Sequence, residues 1–461
     1  METVLNKQQH QLHIAMFPFF AFGHIKPYMN LSNKLAERGH RVAFFLPPKT
    51  QPVISELNSH PELITLIPVP LPQVPGLDPN IQTTSDCDFS TQHLLATAFD
   101  RTASFIESSL HSLKPHAAFY DFAYWLPEIA RRMGVLAVHF CIVGAANLAS
   151  LSAPTEKEEL ETQLPRDFPH PCVALKKFEV RNYSNKPHGE GVTIMERLRL
   201  QFKHADAIAV RTCRELEGHY LDYLEKQCNK PVLTTGLALT EPGGSSTPLK
   251  ERIATWLDKF EPKSVIYCCF GSMCVPPLSQ FQELVLGMEL TGLPFLIAVK
   301  PPKETDSVET ALPEGFKRRT GDRGMVTGEW VQQQQILAHR SVGCFVTHCG
   351  WGSLGEGLIS ECQLVLLPQA FEQHTTARVM GQDLGVGVEV EFDEEDGLFD
   401  RYGVCKAVKL AMNMEDGVGK EVKNNHDEVR KVLSSPELER SCVDELVVKL
   451  KELVSRNNKE D

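Results

Sequence analysis

At 461 residues the chain is longer than one simple core supports, and two domains of about 200 residues are the expectation. The composition is that of a globular protein, 42% hydrophobic and 23% charged, and a net charge of −12 excludes the basic footprint of a general nucleic-acid binder while leaving room for an anion at a local helix terminus. Thirteen cysteines, an odd number without paired C-x-x-C spacing, speak against a zinc site and a secreted disulfide framework, and no stretch reaches the roughly 18 apolar residues of a membrane span.

The run Ile14 to Phe22 is apolar, but its flank is weakly basic, Pro18 interrupts it and no small-residue cleavage site follows. A soluble, cytosolic protein is expected. His13 to Phe17 reads as a strand, Pro18 to Pro27 as a loop, Tyr28 to Arg38 as a helix closed by Gly39, and Val42 to Leu46 as the next strand. This βαβ opening predicts a parallel, doubly wound sheet with its ligand crevice at the strand C-termini. The first loop reads Phe-Gly-His-Ile-Lys-Pro without a GxGxxG fingerprint, so a dinucleotide cofactor is not indicated.

A helix near Gln92 to Ser112, a strand Ala117 to Tyr120, a helix Leu126 to Met133 and a strand Val135 to Phe140 follow. Residues 152–192 carry many charges and prolines without a clean period and read as a mobile surface excursion. Leu237 to Lys250, LALTEPGGSSTPLK, has the composition of an exposed linker. A second α/β series begins after it: helix Lys250 to Lys259, strand Ser264 to Cys269, turn Phe270-Gly271-Ser272, helix Ser279 to Leu290 and strand Phe295 to Val299. Ser435 to Val454 reads as one amphipathic, charge-rich helix.

Trp330 to Gln373 is the most informative stretch. Val342 to Thr347 is a buried-strand pattern that stops at His348; the small-residue turn Cys349 to Ser353 and a helix from Leu354 follow, with Leu364 to Pro368 as the next strand. Glycines at such a turn let the backbone approach a ligand and aim amides of the helix N-terminus at an anion such as a pyrophosphate. Ser353-x-x-Glu356 also fits a capping box, and a lone Trp330 also fits a core or rim position.

The segment, with Trp, then Gln, then HCGW-x-S-x-x-E and a closing acidic residue plus Gln, resembles the signature box of plant UDP-sugar-dependent glycosyltransferases. The resemblance implies a GT-B fold: α/β, two Rossmann-like doubly wound parallel-sheet domains with the active site in the cleft between them. It implies an N-terminal acceptor domain over 1–240, a linker over 241–250, a UDP-sugar domain over 251–435, and a helix over 436–461 that packs back on the N-terminal domain. Trp330 would stack on the uracil, with Val331 beside it and Gln333 by the ribose and base. His348, Trp351, Gly352 and Ser353 with the turn amides, and Ser272 at the first turn of the second half, would hold the diphosphate. Glu356 would accept from the ribose hydroxyls, and Glu372 and Gln373 would grip the donated sugar. Gly352 stands where the box usually has Asn, which removes one side-chain contact and resembles the subgroup that adds a sugar onto a sugar.

Transfer with inversion needs a base near neutrality, and histidine suits it. His24 stands in a loop that matches the family's catalytic-histidine loop. Asp121, at the end of the strand Ala117 to Tyr120, matches its carboxylate partner, although an N-cap on the next helix is the plain alternative. Phe22, Tyr124, Trp125, Phe140 and Phe371 are candidate acceptor-pocket liners or core residues. Asp86-Cys87-Asp88 mimics a metal-binding D-x-D but lacks the preceding apolar strand, and Asp393 to Asp396 lacks EF-hand spacing, so no metal is expected. The expected function is inverting, metal-independent transfer of a sugar, glucose first, from a UDP-sugar to a hydroxyl of a plant secondary-metabolite glycoside such as a flavonoid or anthocyanin glycoside. Transfer to an aglycone, and UDP-xylose or UDP-rhamnose as donor, are the alternatives. The only co-substrate expected is the UDP-sugar, and the protein is expected to be a monomer.

Overall fold

A computed structural model describes residues 11–87, 90–153, 164–183, 187–239, 248–271, 274–370 and 372–457. The contacts divide the chain into two units: Met1–Pro154 with Tyr183–Leu239 and Pro436–Asp461, and Thr155–Asn182 with Thr240–Ser435.

The first unit is built on seven parallel strands: β1 (His13–Phe17), β2 (Arg41–Leu46), β3 (Ile64–Pro68), β4 (Ala117–Tyr120), β5 (Leu136–Cys141), β6 (Ala207–Val210) and β7 (Val232–Thr234), in the order β3-β2-β1-β4-β5-β6-β7. Their runs are apolar on both faces because helices cover both sides. Ile14 and Met16 of β1 pack with Ile25, Leu31 and Leu35 of the helix Phe22–Glu37 on one side. Ala15 and Phe17 pack with Phe99, Ile106 and Leu126 on the other. The terminal helix Pro436–Asn457 adds Leu446, Val447 and Leu450 to the first of these cores, with Lys34 bonded to Glu439 at 3.0 Å and Arg38 to Asp444 at 2.6 Å.

The second unit holds six parallel strands: β8 (Val265–Cys269), β9 (Phe295–Ala298), β10 (Gly324–Thr327), β11 (Val342–Thr347), β12 (Gln363–Leu366) and β13 (Gly387–Glu389), in the order β10-β9-β8-β11-β12-β13. In each sheet the strand order reverses once, between β1 and β4 and between β8 and β11. Ligands of doubly wound sheets bind at the carboxyl ends of the strands that flank such a reversal.

Three expectations about elements change. The first helix begins at Phe22, not Tyr28, and contains Pro27; a proline there forgoes a single helical hydrogen bond, which the packed face absorbs. The single helix near Gln92 to Ser112 is two, Gln92–Asp100 and Ala103–Leu113. Residues 155–182, expected within a first domain of 1–240, group with the second unit. There Arg378 holds the buried Glu179 through Nη1 (2.6 Å) and Nη2 (3.1 Å) and donates from Nε to the Cys172 carbonyl (2.6 Å). Of the expected linker, residues 240–247 lie outside the described residues.

Candidate active site

The register of the first sheet pairs Phe17 at the end of β1 with Tyr120 at the end of β4. The chain after each strand therefore starts from the same level of the sheet. After β1 it turns through Pro18 to Ala21 and enters the helix Phe22–Glu37, which carries His24 in its first turn. After β4 comes Asp121. Its Oδ1 accepts the Phe19 amide at 2.6 Å and its Oδ2 lies 2.6 Å from His24 Nδ1. The carboxylate is spent on these two groups and caps no helix; the next helix, Leu126–Arg131, starts from Trp125. The Asp121 side chain is 3% exposed and that of His24 18%, so the acid is fixed inside while the imidazole keeps an open side. Phe19 and Phe122 stack at 4.8 Å, and each meets the His24 ring in a T-shaped contact, at 5.6 and 5.3 Å.

The second unit carries its polar cluster at the equivalent reversal. β11 ends at Thr347, and His348 follows with its Nδ1 shut from solvent and without a hydrogen-bond partner among the described residues. Burial pushes His348 down to about 4, against a backbone hydrogen bond to Cys269, so the ring is neutral at pH 7. Cys349 takes a left-handed φ of 63°, a strained choice for a side-chain-bearing residue, with its amide held by Thr347 Oγ1 at 3.2 Å. A Cβ on Gly350 would stand 2.4 Å from His348 Nε2, so only glycine lets the ring lie against the turn. Gly350 is the N-cap of the helix Trp351–Ile359 and supplies no side-chain cap. The capping-box reading of Ser353 and Glu356 is thereby corrected, since Ser353 is already inside the helix.

Both residues instead meet the short helix Gln333–Leu337. Gln333 Nε2 donates to Glu356 Oε2 at 2.7 Å and to Ser353 Oγ at 3.2 Å, and Gln334 Nε2 donates to Glu356 Oε1 at 3.1 Å. Tyr267, at the middle of β8, donates to Gln333 Oε1 at 3.4 Å. Gln373 accepts the Gln369 and Ala370 amides on its Oε1, at 3.0 and 3.2 Å. Trp330 is 66% exposed, against the core alternative, whereas Val331 and Trp351 are buried. Gly352 lies in the first turn of the helix Trp351–Ile359, and Glu372 opens the helix Glu372–Arg378. Ser272 and Phe371 lie outside the described residues.

Of the candidate acceptor liners, Phe140 is corrected: it is fully buried in the first core, 4.8 Å from the Tyr28 ring, because β5 is covered on both faces. Phe22 is partly buried against that same core. Trp125 packs on Phe17 at 5.8 Å and donates from Nε1 to Asp100 at 3.2 Å, and Tyr124 lies under the Arg197 guanidinium at 5.0 Å. Sequence reasoning missed Gln334, which nothing in the run Gln332 to Gln335 distinguishes from its neighbours, and the Phe19–Phe122 stack, which joins residues from two loops. Asp86 accepts from Thr83 and from Lys49 and closes a capping box, a structural use of the D-x-D mimic; Asp88 lies outside the described residues. Among the described residues no group of three or more His, Cys, Asp or Glu could hold a metal ion, and no helix is long and apolar enough to cross a membrane.

Residues 245–416 match the family model described as UDP-glucoronosyl and UDP-glucosyl transferase. The chain is 46% identical to the cyanidin 3-O-galactoside 2''-O-xylosyltransferase of Actinidia chinensis var. chinensis, over 96% of this chain and 98% of that one. It is 43% identical to the anthocyanidin 3-O-glucoside 2''-O-glucosyltransferase of Ipomoea purpurea, over 98% and 100%. The fold matches a Glycyrrhiza uralensis glycosyltransferase crystallised with glycyrrhetinic acid 3-O-monoglucuronide, with a TM-score of 0.81, 20% identity and 98% of each chain covered.

Proposed function

The chain belongs to the UDP-glycosyltransferase family of plants, and from that premise we propose that it transfers a sugar, glucose first, from a UDP-sugar to a hydroxyl of the sugar on a flavonoid or anthocyanin glycoside. The observation that carries the reading is the His24–Asp121 pair at the strand reversal of the first unit. Asp121 accepts a hydrogen bond from Nδ1–H of His24 and leaves the Nε2 lone pair for the acceptor hydroxyl. The hydroxyl oxygen attacks the anomeric carbon, the bond from that carbon to the diphosphate oxygen breaks, its proton passes to His24, and UDP leaves with inversion. As positive charge develops on the imidazole, the buried carboxylate stabilises it.

The second unit is assigned the donor. The exposed Trp330 ring offers a stacking face for uracil, and Glu356, already oriented by Gln333 and Gln334, takes the ribose hydroxyls. The amides opening the helix Trp351–Ile359, with His348 and Ser353, face the diphosphate, so that helix-terminus dipoles stabilise the leaving group and the reaction proceeds without a metal. Gln373 has committed its amide oxygen to the backbone, which leaves its NH2 for a sugar hydroxyl beside Glu372. We take it to act in the cytosol, where its thirteen cysteines stay reduced, and as a monomer.

The sugar-on-sugar acceptor and the choice between glucose and xylose follow the two relatives named above. The test is product formation from UDP-glucose and UDP-xylose with paired aglycones and their monoglycosides. Disaccharide products from monoglycosides alone support the reading. Turnover of aglycones alone would keep the chemistry and replace the acceptor class.

A further inference from the structure

A second imidazole packs on the aromatic pair that faces His24. His188 lies 6.0 Å from the Phe19 ring and 5.8 Å from that of Phe122. The two histidines are equipped differently. His24 has the Asp121 carboxylate behind it; among the described residues His188 pairs with no carboxylate, and its Nε2 is shut from solvent without a hydrogen-bond partner. Burial first, then the charge of Arg197 and two neighbouring histidines, push His188 down to about 3. It is therefore a neutral ring at pH 7, a hydrogen-bonding group and not a base.

Its position is firmly built. Pro187 and Thr193 form a β-bridge, and the His188 amide donates to the Val192 carbonyl at 2.9 Å. Arg197, fully buried, donates from Nε to the His188 carbonyl at 2.8 Å and from Nη1 to the Phe122 carbonyl at 2.6 Å, while its Nη2 pairs with Asp100. One guanidinium thus fixes both the turn carrying His188 and the Phe122 wall beside His24. Asp100 also accepts the Glu190 amide at 3.0 Å and Trp125 Nε1 at 3.2 Å. Gly189 has φ +104°, and a Cβ there would stand 1.9 Å from Arg197 Nη2, so the turn can pass over the ion pair only as glycine.

A buried polar atom without a partner costs free energy unless a ligand supplies the partner. We propose that His188 is a specificity-determining residue that hydrogen-bonds a hydroxyl of the sugar already attached to the acceptor, next to the hydroxyl that His24 deprotonates; the inference rests on the sugar-on-sugar reading above. A flat aglycone is served by the phenyl faces of Phe19 and Phe122. A pyranose presents several hydroxyls, each able to donate and accept, so one of them can pair with Nε2 in either tautomer of the neutral ring.

The experiment compares wild type with His188→Ala and His188→Asn, using UDP-glucose and one flavonoid monoglucoside together with analogues deoxygenated at single positions of its glucose. In wild type, one deoxy analogue loses about 10- to 100-fold in kcat/KM, as expected for a site hydroxyl partner left unpaired. In His188→Ala the parent glucoside falls by a comparable factor, the penalty for that analogue disappears, and the KM for UDP-glucose is unchanged. His188→Asn, which keeps a donor and an acceptor, recovers part of the penalty. The ratio between acceptors is read within one protein sample, so partial misfolding does not mimic it. Identical deoxy penalties in wild type and His188→Ala would overturn the assignment. A wild type that transfers to no monoglucoside would instead overturn the acceptor reading on which it rests.

Discussion

His24 Nδ1 and Asp121 Oδ2 lie 2.6 Å apart across a sequence separation of 97 residues. The pairing depends on adjacent parallel strands: β1 and β4 neighbour one another although two strands and four α-helices separate them in the chain. Replacing Asp121 with Asn removes the acceptor that sets the His24 tautomer. The expected result is a fall in kcat of about 10²–10⁴-fold, with UDP-sugar binding kept. Initial rates beside equilibrium UDP binding check it, and an unchanged kcat would remove Asp121 from the mechanism.

Glu356 accepts from two glutamine side chains and is assigned the ribose. Glu356→Ala should raise the KM for UDP-glucose by about 10-fold or more, since a charge-assisted hydrogen bond contributes roughly 1.5–3 kcal/mol. Acceptor KM should not move. An equal rise for both substrates would argue for a general structural defect.

Trp330 offers a cleaner separation because its ring is exposed. Trp330→Ala removes little packing, so the melting temperature should stay within about 2 °C. Loss of base stacking should still weaken UDP binding by about 1–3 kcal/mol, roughly 5- to 150-fold. Calorimetric titration with UDP is the measurement, and undiminished affinity would contradict the stacking assignment.

Much of this arrangement is legible in the sequence, for identifiable reasons. The strands β1, β4, β8 and β11 show as short apolar runs because both their faces are buried, and the helix–turn boundaries around Gly39 and His348 carry their own local chemistry. The start of the first helix was obscured by Pro27, whose local preference was outweighed by packing of Ile25, Tyr28 and Leu31 in the core. The Ser353–Glu356 spacing looked like a cap, whereas those side chains bond residues twenty or more positions away. Phe140 could not be sorted from a pocket liner by composition alone. The Glu179–Arg378 pair, 199 residues apart, left no mark in either segment.

That pair makes a stability prediction. Glu179 and Arg378 are both buried, and Arg378→Met leaves an uncompensated carboxylate beside His374, costing about 3–5 kcal/mol. The double substitution Glu179→Leu with Arg378→Met should recover most of the loss. Urea denaturation of the single and double variants measures it, and additive losses would show that the two side chains do not act as a pair.

Acid sensitivity follows from His139, buried in β5 and pushed by burial down to about 3, from an ordinary 6.5. The folded state keeps this ring neutral while the unfolded chain protonates it. Stability that is full above pH 6.5 is therefore lost as pH falls toward 3. His139→Leu removes that proton uptake, and its denaturation free energy should fall less steeply over the same window. Parallel slopes for the two proteins would assign acid lability elsewhere.

The role proposed for His24 is to take the proton of an acceptor sugar hydroxyl. The most direct measurement is the initial rate of disaccharide formation from UDP-glucose and an anthocyanidin monoglucoside, wild type against His24→Ala, with UDP affinity determined on the same samples. Transfer should fall by about 10²–10⁴-fold at unchanged UDP affinity. Transfer at the wild-type rate in His24→Ala would contradict it.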